Sequence, residues 1–163
     1  GCFGKEFKDI LLSVQAIDKN GNMKTIPSSQ INFSYRKSPL DKDLIFLSAS
    51  FKGEFKKKNE INKLINDFKE KKNLAQPTSL KTGGSTFKNP KDQTDQKVWE
   101  LIRKSVSIDK SFGDAEISKK HCNFFVNKKN ASFKDMKNLI EFVKKNVKAK
   151  TGINLETEIV IID

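Results

Sequence analysis

"SFKDMKNLIEFVKKNVKAKTGINLETEIVIID", residues 132–163, carries a helix and a strand in one run. Ser132 with Asp135 three residues later resembles a capping box, and Phe133, Met136, Leu139, Ile140, Val143 and Val147 recur at helical spacing along one face. The helix ends near Gly152. Beyond it "LETEIVIID" switches from a period of 3.6 to strict alternation, which predicts a closing strand over 155–163. No internal repeat or disordered tract accompanies these elements, so the class is α+β with mainly antiparallel strands.

The rest of the chain agrees with that class. Upstream, "DQKVWELIRKS" (95–105) predicts a short helix, and "GDAEIS" (113–118) followed by "NFFVN" (123–127) reads as turn, strand-like segment and turn. "KTGGSTFKNP" (81–90) reads as a glycine turn that ends in an Asn-Pro stop. In "KKNEINKLINDFKEKKN" (57–73), Ile61, Leu64, Ile65 and Phe68 predict a helix with one buried stripe and lysines facing water. Toward the start, "FKDILLSVQAID" (7–18), the turn "KNGN" (19–22) and "MKTIPS" predict a hairpin. "INFSYRKSPL" (31–40) is a short strand or loop closed by Ser-Pro, and "DLIFLSASFKG" (43–53) alternates as a strand. The character changes after Gly53, so the expected division is 1–54 and 55–163.

Length and composition bound the function. A chain of 163 residues can bury a core without staples. Cys2 and Cys122 lie far apart and outside any CxxC or Cys/His cluster, so neither a disulfide framework nor a zinc site is expected, and the usage fits a reducing, cytoplasmic protein. No apolar run approaches membrane-spanning length, so no membrane partner is expected. The first residue is Gly1, which fits a processed product or a missing upstream part. The net charge of +12 invites a polyanion reading. Yet of the 32 basic residues only Arg36 and Arg103 are arginine, and lysine is the poorer residue for forked recognition of phosphate or guanine. The excess reads as a solvated surface, with no nucleic-acid partner expected, although the basic field suits a phosphorylated small molecule.

Individually, the chemistry-bearing residues say little. His121 has no second histidine to form a relay or metal site and reads as a packed or capping residue. Cys122 beside it would point to the opposite face if both lay in a strand. Three features are more informative. Arg36 follows Tyr35 between apolar flanks. Ser85 follows Gly83-Gly84, which leaves its hydroxyl approachable. Glu156 and Glu158 share one face of the closing strand, and alternation cannot choose between them; a solvated ion pair among these groups is the plain structural account.

"SYRKSPL", "IFLSASFKG", "QPTSLKTGGSTFKNP", "GDAEISKKHCNFFVN" and "LETEIVIID", in this order and spacing, resemble the C-terminal part of the UDP-N-acetylenolpyruvoylglucosamine reductase family, which makes UDP-N-acetylmuramate for bacterial cell-wall synthesis. The resemblance runs from Gly1 to Asp163 and implies an FAD- and NADPH-dependent oxidoreductase acting on a UDP-sugar. By position it implies catalytic roles for Arg36, Ser85 as proton donor and Glu158 as carboxyl group. It also implies substrate contacts for Asn89 and Tyr35, and cofactor contacts for Gly1 and Gly4. Residues 1–54 would then be the end of an FAD-binding domain and 55–163 the substrate-binding domain. The family's N-terminal half has no counterpart in these 163 residues, so a complementing half is an expected partner. Local departures are Glu116 where glutamine is common, "RKSVSIDKS" in place of a glycine-rich turn, Val160 in place of arginine and Asp163 in place of glycine. The competing expectation is a non-catalytic remnant or binding module for a nucleotide-sugar or polyanion.

Overall fold

In the first half of the chain the strand signals and the turn chemistry meet as expected. The computed structural model describes residues 3–162 and divides into two units, Gly1–Ile65 and Asn66–Asp163. In the first unit, β1 (Leu11–Ile17) and β2 (Met23–Pro27) form an antiparallel hairpin in which Ile17 pairs with Met23. Asp18 builds its turn. One carboxylate oxygen accepts from the Asn20 and Asn22 backbone N–H groups at 2.9 and 3.0 Å, and the other from the Asn22 amide at 3.2 Å and faces Lys24 at 3.2 Å. These donors, the Asn22 backbone first, hold the Asp18 carboxyl at about 2.

β3 (Ile45–Phe51) joins the other edge of β1 antiparallel, which gives the order β2-β1-β3. The core of this unit is thin: Leu11, Val14 and Ile31 are buried, with Ile26, Phe33 and Leu40 packed against them. Phe7 sits in a 3₁₀ turn ahead of β1 and meets Phe51 and Phe33 edge-on, with ring centroids 5.4 and 6.5 Å apart. "INFSYRKSPL" is a loop in which Ser34 and Lys37 form a bridge.

The expected helix forms as α1 (Lys58–Ala75), but its apolar stripe is not buried: Ile61, Leu64, Ile65 and Phe68 are 39–44% exposed. Helical periodicity decides which residues share a face. Burial needs a second surface to cover that face, and periodicity cannot supply it.

The second unit is a four-stranded antiparallel sheet, β4 (Lys81–Ser85), β5 (Ser111–Phe112), β6 (Ala115–Ile117) and β7 (Phe124–Asn127), in the order β4-β7-β6-β5. Two helices complete it, α2 (Val98–Ser105) and α3 (Phe133–Thr151). Val98, Leu101 and Ile102 of α2 meet Leu139, Ile140, Val143 and Val147 of α3 and the inner residues Ala115, Ile117 and Phe125 of the sheet in one core. The α3 capping box is present: the Ser132 hydroxyl oxygen accepts from Asp135 N–H at 3.1 Å, and the Asp135 carboxylate accepts from Ser132 N–H at 2.9 Å. Gly152, at φ +75°, closes the helix. Phe133 departs from the expected face. It is 56% exposed, and the Lys137 ammonium lies 5.4 Å from its ring centroid.

Two further expectations change. "KTGGS" is a strand, β4, not a turn, and the closing strand at 155–163 reduces, among its described residues, to a single bridge at Thr157. The alternation there survives as burial. Leu155 is buried and Ile159 and Ile161 pack on the core, while Val160 and Ile162 are 85–86% exposed. The mixture of helices and antiparallel strands makes the class α+β.

Candidate active site

The glycine pair explains how a strand passes through "KTGGST". β4 pairs Thr82 with Val126 and then Ser85 with Phe124, so one extra residue bulges out between them. Gly84 takes φ +90°, a conformation that a side chain would strain. The Thr82 hydroxyl closes the bulge: it donates to Phe125 C=O at 2.8 Å and accepts from Gly84 N–H at 3.2 Å. Ser85 emerges half-buried at the end of the strand, followed by the buried pair Thr86 and Phe87.

Glu158 is brought to the same place from 73 residues along the chain. The segment around Thr157 runs antiparallel to residues 86–88, with Glu158 N–H donating to Thr86 C=O at 2.8 Å and Lys88 N–H donating to Glu156 C=O at 2.9 Å around the Phe87–Thr157 bridge. Glu158 is therefore bonded through its backbone to the residue after Ser85. Glu156 is exposed and forms an ion pair with Lys88. The register sets Glu158 opposite Thr86 and Glu156 opposite Lys88.

The other face of residues 86–88 is held by Asn123, which is 4% exposed. Its backbone carbonyl accepts from Thr86 N–H at 2.7 Å, its Oδ1 accepts from Phe87 N–H at 3.0 Å, and its Nδ2 donates to Phe87 C=O at 2.9 Å. Gln93 makes the same reciprocal pair with Asn154, at 3.0 and 2.9 Å, just ahead of the Thr157 segment. Neither carboxamide stands out in the sequence. The signal that was available is a polar residue at the head of the apolar run "NFFV".

Asn89 lies on the far side of the same segment. Its Oδ1 accepts from Val98 N–H at 3.0 Å, at the first turn of α2, so the side chain that the resemblance places on substrate is also oriented by a helix terminus. His121 and Cys122 lie in a turn, not a strand. The His121 Nδ1 accepts from Asn123 N–H at 3.2 Å and its ring stacks edge-on with Phe124 at 4.9 Å, as expected of a packed histidine. Burial of the ring holds its pKa below the ordinary 6.5. Cys122 is a buried member of the core. Glu116, at the position where glutamine is common, pairs with Lys128 at 3.0 Å.

In the first unit, Tyr35 and Arg36 form the tip of a tight turn closed by reciprocal bonds between Ser34 and Lys37, both 3.0 Å. Arg36 takes φ +58°, uncommon for a residue with a side chain, and its guanidinium lies 5.3 Å from the Tyr35 ring centroid. Gly4 is exposed and has nothing within 4 Å of where a Cβ would stand; Gly1 lies outside the described residues. Among the described residues no cluster of three or more His, Cys, Asp or Glu could hold a metal, and no helix is long and apolar enough to cross a membrane.

The family model described as UDP-N-acetylenolpyruvoylglucosamine reductase, C-terminal domain, matches residues 76–162, which include Ser85, Asn89, Asn123 and Glu158. The UDP-N-acetylenolpyruvoylglucosamine reductase of Pelagibacter ubique is 66% identical over 99% of this chain and 54% of its own length. That of Rickettsia bellii is 42% identical over 98% of this chain and 52% of its own length. The crystal structure of UDP-N-acetylenolpyruvylglucosamine reductase from Thermus caldophilus superposes with a TM-score of 0.79 at 29% identity, covering 97% of this chain and 55% of that one. The chain spans about half the length of the curated relatives it matches. With more than half of its residues matched by the family model and the same fold over nearly all of its length, the chain belongs to the UDP-N-acetylenolpyruvoylglucosamine reductase family.

Proposed function

We propose that this chain is the substrate-binding and proton-donating part of a reductase that converts UDP-N-acetylglucosamine enolpyruvate to UDP-N-acetylmuramate in peptidoglycan precursor synthesis. The observation that carries the proposal is the register that bonds Glu158 to Thr86, directly after Ser85. It supports the reading because it brings the backbone of Glu158 to the residue next to Ser85, two of the three residues to which the resemblance assigns catalytic roles.

Reduction of the enolpyruvyl double bond adds a hydride to its terminal carbon and a proton to the adjacent carbon, which bears the carboxylate. In the family's chemistry FAD, reduced by NADPH, supplies the hydride. The described residues do not fit that cofactor by themselves. Gly4 stands in open space with no cradle around it, and no other described segment offers a glycine-rich phosphate loop. Holding FAD and admitting NADPH accordingly fall to the length of protein that the relatives have and this sequence does not contain.

The protein's own contribution is the proton and the stabilisation of charge. As negative charge develops toward the substrate carboxylate, the Glu158 carboxyl group and the guanidinium of Arg36 are the groups the resemblance assigns to its stabilisation. Ser85 Oγ gives its proton to the carbon beside the carboxylate and recovers one from solvent. A serine hydroxyl is a weak acid, so its placement by the bulge supplies most of the effect. Asn89, oriented through Val98, and Tyr35 are assigned to substrate binding. The reaction is expected to take place in the cytoplasm.

The test is reconstitution with the N-terminal portion of the Pelagibacter ubique relative. Oxidation of NADPH that depends on UDP-N-acetylglucosamine enolpyruvate, reduced to a small residual rate by Ser85→Ala, supports the proposal. A flavin-loaded, folded complex with neither turnover nor UDP-sugar binding overturns it. Salt-dependent binding of RNA by such an inactive protein is the result that would favour a polyanion-binding module.

A further inference from the structure

The partner strand of residues 85–88 runs out too early. β7 begins at Phe124, whose pairing with Ser85 is the last rung of the β4–β7 ladder. Beyond that rung the β7 chain turns away through residues 121–123, with Phe124 N–H donating back to His121 C=O at 2.9 Å. Residues 86–88 continue straight on. The Asn123 backbone carbonyl reaches Thr86 N–H, but no backbone group of β7 is left for Phe87, which is 1% exposed and has both its N–H and its C=O to satisfy on that side.

The Asn123 side chain fills the gap. A carboxamide carries the same acceptor and donor as a peptide group, and here Oδ1 and Nδ2 take the two positions that the next residue of a strand would have taken. The two partners also fix which end of the carboxamide is oxygen. Aspartate would keep the acceptor and lose the donor. Serine and alanine would leave both Phe87 groups buried and unpaired. Glutamine would place the same group one methylene too far out. On its opposite edge the same three-residue segment holds Glu158 through Thr86 C=O and Glu156 through Lys88 N–H.

Segment 86–88 is thus the middle of three strands, with Ser85 at its head, the Glu158 segment on one side and a side chain acting as a strand on the other. We infer that Asn123 is a positioning residue: its carboxamide fixes the register that holds the Ser85 hydroxyl and the Glu158 carboxyl in one site. The inference rests on the reading of Ser85 and Glu158 given above. Asn123 itself touches neither the substrate nor the reacting atoms in this scheme. Its effect passes through the path of the backbone, and a displacement of about 1 Å in a proton donor can cost on the order of 100-fold in rate.

The unaltered chain supplies the first test. Hydrogen exchange followed by NMR should show the Phe87 amide protected to the level of the buried α3 amides; exchange of Phe87 at the rate of an exposed loop, with α3 protected, overturns the inference. The second test uses the reconstituted reductase with Asn123→Asp and Asn123→Ala. Flavin reduction by NADPH and substrate affinity should stay within about threefold of the parent, while turnover falls on the order of 10- to 100-fold. In a Ser85→Ala background the same substitutions should cost clearly less than in the parent, because one of the two groups they position is gone. Equal losses in both backgrounds indicate general damage and overturn the inference, as does full turnover in a folded Asn123→Asp protein. If Asn123→Ala does not fold, the exchange experiment and Asn123→Asp decide the matter. Full turnover in Ser85→Ala alone would instead overturn the reading of Ser85, so the two failures are distinguishable.

Discussion

Glu156 and Glu158 differ in nothing that local sequence can express, yet their surroundings separate them. Glu156 is 73% exposed on its side chain and pairs with Lys88 at the surface, an arrangement that contributes at most about 1 kcal/mol. Glu156→Gln should therefore leave substrate-dependent NADPH oxidation unchanged in the reconstituted enzyme. Glu158→Gln should lower it on the order of 100-fold or more. His121 supports a second prediction at this scale. Burial lowers its pKa, and its unprotonated Nδ1 accepts the Asn123 N–H. The unfolded chain thus binds the proton more readily, so this contribution is fully present above the ordinary 6.5 and is lost as pH falls through the lower folded value. Urea unfolding at pH 7.5 and 5.5 should show a smaller pH difference for His121→Asn than for the parent.

Turns and caps decide the elements. The Ser132–Asp135 box is legible because both partners lie within one helical turn, and Ser132→Ala should cost about 1 kcal/mol in denaturant unfolding. Its connection to the sheet is not legible. Gly113, at φ +53° in the turn between β5 and β6, leaves room for that same carboxylate, and a Cβ there would stand 2.7 Å from the Asp135 oxygen. Gly113→Ala should therefore cost more than the cap alone, about 2 kcal/mol or more, because it adds backbone strain and pushes Asp135 off the helix. The β1–β2 hairpin could be read from "KNGN" and the strands around it, and Asp18 completes its turn. β4 was hidden for the opposite reason. Two adjacent glycines read as a break, and only pairing with β7 turns them into a bulge inside a strand.

At the scale of the molecule the two units differ in how much they bury. Unit Asn66–Asp163 encloses Leu139, Ile140, Val143, Leu101, Ile102 and Phe87 almost completely, whereas among the described residues of unit Gly1–Ile65 only Leu11, Val14, Ala16 and Ile31 are buried apolar residues and every residue of β3 is exposed. Amides of β1–β3 should therefore exchange through openings of lower free energy than those of α3, and equal protection in both would contradict this account. The sequence by itself determined what neighbours determine: the α+β class, the hairpin, the three helices, the α3 cap and the inward alternation of Leu155, Ile159 and Ile161. Those features arise between residues two to four positions apart. The tertiary structure alone decided that the α1 stripe faces solvent, that Glu158 bonds through its backbone to Thr86 and that Asn123 completes a strand. The last two depend on groups 36 to 72 residues apart, such as Asn123 with Phe87 and Glu158 with Thr86. A hydrogen bond across such a distance leaves no periodic trace in the sequence, because its geometry is set by the packing of everything between.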